Sequence, residues 1–218
     1  MRTISQVVEE VVGRSPFLAE AIAEGIANNA KIARRIRPEV EKRLLEEVSE
    51  ASIAMALHRL AKDLTKAPFG AKFLTKVSDI TVRGNLVQFV CGNSADVSEA
   101  LEALSRRASP MKGAFFNYSR GLHETVLIVS GELEGEVKGA LGAHTELSRK
   151  EGLSAITMRL PEESLAVPGV YYPILKAIAL EGVSLVEVMS VRTEFSIIFE
   201  DKDIDRAFSV IKKATSAS

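Results

Sequence analysis

The last fifty residues constrain this chain most, because hydrophobic period changes there twice in a set order. A Val167-Pro168-Gly169-Val170 loop leads into a helical stretch with Ile174, Leu175 and Ile178 on one side. Leu185–Met189 and Phe195–Phe199 are rich in β-branched and aromatic residues and read as strands. Asp203–Lys213 returns to a helical period, with Ile204, Ala207, Phe208 and Ile211 at i, i+3, i+4 and i+7. The apolar run Ala155–Leu160 stands in front as a further strand, so the order is β-α-β-β-α.

That order is most of a ferredoxin-like unit. Residues 84–147 repeat the outline with different residues. Ser78–Val82 and Leu86–Val90 read as strands joined by a hairpin turn at Arg83-Gly84-Asn85. Asp96–Arg107 reads as a helix with Val97, Ala100, Leu101 and Leu104 inward; Ala114–Tyr118 and Thr125–Val129 read as strands, and Leu133–Leu141 as a weak helix. The chain ends about seven residues after Ile211, which leaves no room for a fourth strand in the last unit. If His144–Leu147 closes the first unit, Ser78–Val82 is surplus to it. The expectation is that Ser78–Val82 completes the last unit's sheet, interlocking the two copies and covering an edge left open otherwise.

Residues 4–66 read as helix throughout. Segments are expected at Ser5–Val12, from Ser15-Pro16 to about Gly25, at Ala30–Ile36, from Pro38 onward, and from a Ser49 cap along Ile53, Leu57, Leu60 and Leu64. Pro68 and Gly70 end the region. The expected domains are 1–67 helical, 68–76 linker, 77–150 and 151–218. Residues 1–76 hold 13 Lys/Arg against 10 Asp/Glu, and residues 77–218 hold 15 against 19, a weak polarity that does not prove nucleic-acid binding.

The stretch Glu181-Gly182-Val183-Ser184-Leu185-Val186-Glu187-Val188-Met189-Ser190, with Thr193-Glu194-Phe195 and Asp201-Lys202, resembles the regulatory part of aspartate kinases. Such units are ACT domains, which bind amino acids, and a paired ACT arrangement is what that regulatory region shows. The resemblance implies an α+β fold with two ferredoxin-like βαββαβ ACT domains behind an N-terminal all-helical domain of winged-helix or helix-turn-helix type. It covers roughly residues 77–218 and is most specific over 167–211. It further implies ligand contacts at the first β-α loop of each unit, where amides at a helix N-terminus hold a carboxylate. Those positions are Pro168, Gly169, Val170 and Tyr171 in the second unit, and Gly92, Asn93, Ser94 and Ala95 in the first. Ser184 stands where many aspartate kinases carry Asn. Asn93 and Ser94 serve equally well as a helix cap, and Tyr171-Tyr172 as packing.

The segments Lys31–Ile36 and Val48–Leu60 look like a helix-turn-helix whose second helix presents Ser52, Met55, Arg59, Lys62 and Lys66 outward. Arg59 and Lys62 are candidates for bases or phosphates; Arg34, Arg35, Arg37 and Arg43 are candidates for the DNA backbone. An extra helix over Pro38–Glu47 and the acidic Glu46, Glu47 and Glu50 count against that reading. A helical head on an amino-acid-binding tail also resembles leucine-responsive regulators in layout, with ligand binding altering the spacing of two heads in a dimer.

Enzyme signatures are missing. His58, His123 and His144 are isolated, so no metal site is expected, nor any cofactor. The Lys-Phe-Gly-Gly-Thr-Ser type opening of the aspartate kinase catalytic domain does not occur. The single Cys91 reads as a small core hydrophobe. No apolar run reaches the roughly 18–20 residues of a membrane span, and Met1-Arg2-Thr3-Ile4 lacks the apolar block of a signal peptide. A cytoplasmic location and a homodimer are expected. The leading expectation is a non-catalytic amino-acid sensor controlling transcription. The alternatives are a stand-alone regulatory partner of an aspartate-kinase-type enzyme, and a ligand-free dimeric scaffold.

Overall fold

The structure is a computed structural model that describes residues 2–64, 71–142 and 146–216. The chain divides into two compact units. One holds the helical segment to Leu74 together with Val167–Pro173; the other holds Thr75–Ala166 and Ile174–Ser218.

The helical unit contains α1 (Ile4–Gly13), α2 (Pro16–Ala23), α3 (Asn29–Leu44), α4 (Glu50–Leu64) and the single turn α5 (Ala71–Leu74). Thr3 and Gln6 form a reciprocal capping box at the start of α1. Pro16 takes the first position of α2 as its fixed φ favours, while Ser15 makes no side-chain cap bond. Asn28 caps α3 through Lys31 N–H at 3.0 Å, and Ser49 accepts from Ser52 N–H at 3.1 Å. The break expected before Pro38 does not occur. Pro38 lies inside one continuous 16-residue α3, which ends at Leu45 in the left-handed region. Pro removes one N–H and crowds the preceding turn, yet Ala33, Ile36 and Val40 on both sides of it are buried in one core with α1 and α4. Burial of that stripe outweighs the local penalty. Pro68, Gly70 and the end of the expected last helix at Lys66 lie outside the described residues.

The second unit is a six-stranded antiparallel sheet in the order β2-β3-β1-β4-β6-β5. Its strands are β1 (Ser78–Gly92), β2 (Phe116–Arg120), β3 (Glu124–Ser130), β4 (Glu146–Arg159), β5 (Glu187–Val191) and β6 (Glu194–Glu200). Its helices are α6 (Ala95–Ala108), α7 (Glu134–Leu141), α8 (Tyr172–Leu180) and α9 (Ile204–Ser216). The hairpin expected at Arg83-Gly84-Asn85 is absent: β1 runs straight through it. The turn signal marks a register shift between Arg83 and Leu86, with Asn85 at φ 56°. Asn85 packs so close to Gly131 that a β-carbon on Gly131 would stand 2.5 Å from Asn85 Oδ1.

β4, of 14 residues against 15 in β1, joins two segments read as separate strands, although His144 lies outside the described residues. The consequence is the interlock. The start of β1 pairs with the end of β4, Thr81 opposite Thr157 and Val82 opposite Ile156. The rest of β1 pairs with β3 on one side and the start of β4 on the other. The surplus early strand therefore does extend the sheet formed by β4, β6 and β5. The register shift falls where β1 passes from its exposed early part to its buried part beginning at Leu86.

Alternation along the strands sorts the two faces. Val87, Phe89, Cys91, Leu127 and Val129 pack with α6 and α7, and α9 packs on β4 and β6. The opposite face gathers Leu86, Ile128, Leu153, Ala155, Met189 and Ile198 into a separate buried cluster. In a flat sheet β2 and β5 would stand five strand spacings, roughly 24 Å, apart. Yet the 113–115 segment before β2 and the Val191–Glu194 turn after β5 line one cleft, so the sheet is curled, with the face of this cluster concave.

Candidate functional site

The two expected ligand loops follow the C-terminal ends of β1 and β4. Those strands are antiparallel, Cys91 lying opposite Glu146 and Ser78 opposite Arg159, so the strand ends that feed the loops fall at opposite ends of the sheet. The structure does not bring those two strand ends together.

In the first loop the polar side chains are occupied within the protein. Asn93 accepts from Thr125 Oγ1 at 2.7 Å and donates Nδ2 to Gly121 O at 2.8 Å, while its N–H bonds His123 O at 3.1 Å. It ties the end of β1 to the β2–β3 turn. Ser94 caps α6 by accepting from Val97 N–H. Gly92 pairs with Glu124 at the end of the ladder, and Ala95 is exposed.

In the second loop Pro168 and Gly169 are exposed, Val170 is buried and Tyr171 half-buried. Gly169 has φ 73° and its carbonyl accepts from Tyr172 N–H at 2.9 Å, a turn that glycine permits without strain. This segment belongs to the helical unit, where the Tyr172 hydroxyl donates to Glu20 at 3.3 Å. Ser184 is exposed and precedes β5, which begins at Glu187, two residues later than the sequence suggests.

On the helical unit, Ser52, Met55, Arg59 and Lys62 share the outer face of α4, with Ile53, Ala56 and Leu57 buried beneath. α3 and α4 are joined by only five residues, 45–49, so the extra helix that weighed against a helix-turn-helix is not there. Much of the expected basic surface is nevertheless tied up. Arg34 forms a two-pronged pair with Glu50 at 3.2 and 3.3 Å. Arg37 pairs with Glu41 at 2.7 Å, and Glu41 also accepts from Val48 N–H. The Arg37 hydrogen bond, with that from Val48, lowers the Glu41 carboxyl below its ordinary range. Arg43 pairs with Glu10 and Glu39. Arg35 and Arg59 are exposed and unpaired among the described residues. Residues 2–64 carry ten Lys/Arg against ten Asp/Glu, so the segment has no net positive field.

Cys91 is buried in β1, and burial pushes its thiol up, away from the reactive thiolate. Among the described residues no group of three or more His, Cys, Asp or Glu could hold a metal ion, and no helix is long and apolar enough to cross a membrane.

Clefts open at both ends of the concave sheet face. One, of about 500 Å³, lies among the β2–β3 turn, Val126 and Glu187. The other, of about 670 Å³, has Thr81, Arg83, Thr157 and Arg159 on β1 and β4, with the 113–115 segment and the β5–β6 turn as walls. Its lining also includes Asp79 and Glu194. No motif in the sequence marks this second cleft, because its residues come from stretches far apart in the chain that only the register makes neighbours.

No family model and no curated protein sequence matches the chain. Solved structures do. Aspartate kinase from Clostridium acetobutylicum is matched at TM-score 0.51 and 14% identity, over 64% of this chain and 35% of that one. The chain thus spans about a third of that enzyme's length. The regulatory subunits of aspartate kinase from Thermus thermophilus, in its ligand-free form, and from Thermus flavus are matched at TM-score 0.51 with 13% and 14% identity. Each match covers 63% of this chain and 97% of the subunit. At such identities the likeness is one of fold: the sheet with its helices has the architecture of aspartate kinase regulatory, ACT-type, regions.

Proposed function

We infer that this protein is a non-catalytic, amino-acid-responsive regulator. Its C-terminal part, after residue 77, receives the effector, and the helices before it carry the output. The observation that bears most weight is the likeness in fold to regulatory subunits almost all of whose length is covered. The second loop, Pro168 to Tyr171, contacts the effector. The first loop contributes little, since Asn93 and Ser94 already spend their hydrogen bonds internally. The protein acts as a homodimer whose DNA-competent form gains or loses population with effector, in proportion to the effector's differential affinity for the two forms.

The output proposed is DNA contact through α4, with Arg59, Lys62 and Ser52 facing the duplex and Arg34 and Arg35 at the backbone. A second reading, docking of the helical unit onto a protein partner such as an enzyme of the aspartate kinase type, is favoured by that unit's balanced charge and its paired Arg34, Arg37 and Arg43. Thermal shift across the twenty amino acids tests the effector claim; a ligand at a hundredfold its Kd should add about 2.7 kcal/mol. No shift with any of them removes it. Fluorescence anisotropy with duplex DNA tests the output. Binding should weaken steeply as salt rises, because phosphate contacts release counterions, and Arg59→Ala should abolish it while leaving the amino-acid shift intact. No binding at low salt, with or without amino acids, leaves the protein-partner reading in its place.

A further inference from the structure

The sheet ends in two edge strands, β2 and β5, and residues of both sides line the same openings. Ser119 and Gly121 share the first cleft with Glu187 at the start of β5. The 113–115 segment shares the second cleft with Val191 and the β5–β6 turn. Every neighbouring pair in the order is antiparallel, so β2 and β5 run in opposite directions. They form the two lips of one slot, with a cleft at each end.

The β2 lip carries a row of backbone groups aimed outward. Ser130 N–H donates to Phe115 O at 2.9 Å and Gly121 N–H to Glu124 O at 2.8 Å, so residues 115, 117, 119 and 121 face β3. The alternation of an antiparallel ladder then turns the N–H and C=O groups of Phe116, Tyr118 and Arg120 away from β3, about 7 Å apart. Among the described residues no backbone group meets them. Edge strands are commonly blunted by Lys, Pro or a bulge. Residues 114–119 contain no Lys or Pro, the register of β2 on β3 is unbroken, and Tyr118 at its centre is 49% exposed.

We propose that this slot receives one extended peptide segment of a partner protein, which adds to β2 as a seventh strand. Room favours a single strand over the sheet of a second copy, because β5 stands on the far lip. A residue of a packed strand fills roughly 160 Å³ by its rise, strand spacing and sheet spacing. Clefts of about 500 and 670 Å³ therefore each take a few residues of one chain. Charge sets the direction. The first cleft holds Glu124 and Glu187 with no Lys or Arg. The second holds Arg83, Arg159 and Arg192 against Asp79 and Glu194, with Arg192 also paired to Glu162 at 3.1 Å. A peptide antiparallel to β2, the more stable pairing, begins at the first cleft and ends at the second. Its basic residue lies early and its acidic residue late, and Tyr118 offers an aromatic face to its middle. This docking goes beyond the amino-acid reading and requires no effector.

The test uses the full-length protein and the fluorescein-labelled heptapeptide Lys-Thr-Val-Thr-Val-Thr-Glu, read by fluorescence anisotropy. The peptide should bind, and its charge-reversed form Glu-Thr-Val-Thr-Val-Thr-Lys should bind at least tenfold more weakly. N-methylation of its Thr and Val amides should abolish binding, since the contact is made by the backbone. Saturating peptide should slow amide exchange at Phe116, Tyr118 and Arg120 at least tenfold. Tyr118→Pro removes one outward N–H at a place where an edge strand tolerates Pro, and should weaken binding at least tenfold. Glu124→Lys combined with Glu187→Lys leaves the β2 edge intact and should reverse the preference between the two peptides. The docking is overturned if neither peptide binds, or if Tyr118→Pro binds like the parent. It is also overturned if the three amides are already protected without peptide, which would show β2 paired. Equal affinity for both peptides in the parent protein overturns the assigned direction. Thermal shift with amino acids tests the effector separately, so either claim can fail while the other stands.

Discussion

Because β1 and β4 each run the length of the sheet, a lesion where they meet should weaken both ends together. Leu153→Ala is the sharpest such lesion. Leu153 is fully buried, lies opposite Leu86 on β1 and Glu200 on β6, and belongs to the concave-face cluster. Neighbouring strands on both sides leave the site little freedom to collapse. The loss should therefore combine transfer and cavity contributions, about 3–5 kcal/mol. For a chain of this size that lowers Tm on the order of 10 °C. Urea unfolding would give the free energy, and hydrogen exchange read by mass spectrometry would locate it. Peptides from β2–β3 and from β5–β6 should lose protection by the same amount, in one cooperative step. A loss under about 1 kcal/mol, or loss of protection at only one end, refutes the claim that the shared strands make the sheet a single folding unit.

Three further outcomes are expected. Gly169→Val should destabilise by about 1–3 kcal/mol in a denaturant titration, because a β-branched residue is strained at φ 73°; unchanged stability would show that the turn relaxes. Asn93→Ala should cost about 1–3 kcal/mol through its two side-chain hydrogen bonds and speed exchange in the β2–β3 turn, with effector affinity unaltered; a loss of affinity would place the first loop in the site. Glu200 is held down to about 2 by Lys150 and Lys202, below its ordinary carboxylate value, so its pairing contributes stability that is complete above the unfolded value, near 4.5, and is lost as pH falls through about 2. Acid titration should show that slope over pH 4.5 to 2 and Glu200→Gln should flatten it; identical acid profiles would refute the pairing.

Short-range signals in this chain were sufficient for the helices and strands. Stripes such as Ile204, Ala207 and Ile211, and alternation such as Phe195, Ile197 and Phe199, report burial through period alone, and burial is what shapes each element. The pairing of Ser78–Val82 was legible too: a strand surplus to its own unit can cover an open edge of the other, and the start of β1 pairs with the end of β4. Local signals misled where two elements were merged by tertiary packing. Pro38 and the Arg83-Gly84-Asn85 turn are breakers in isolation, but a common core behind α3 and continuous pairing along β1 carry the chain through both. The cleft lay beyond sequence altogether. Asp79, Arg83, Arg159 and Glu194 look like four ordinary surface charges until a bulge, an antiparallel register and the curl of the sheet place them around one opening. Period is a property of neighbours along the chain, whereas a site of this kind depends on which strands lie side by side, and that is decided only when the whole sheet closes.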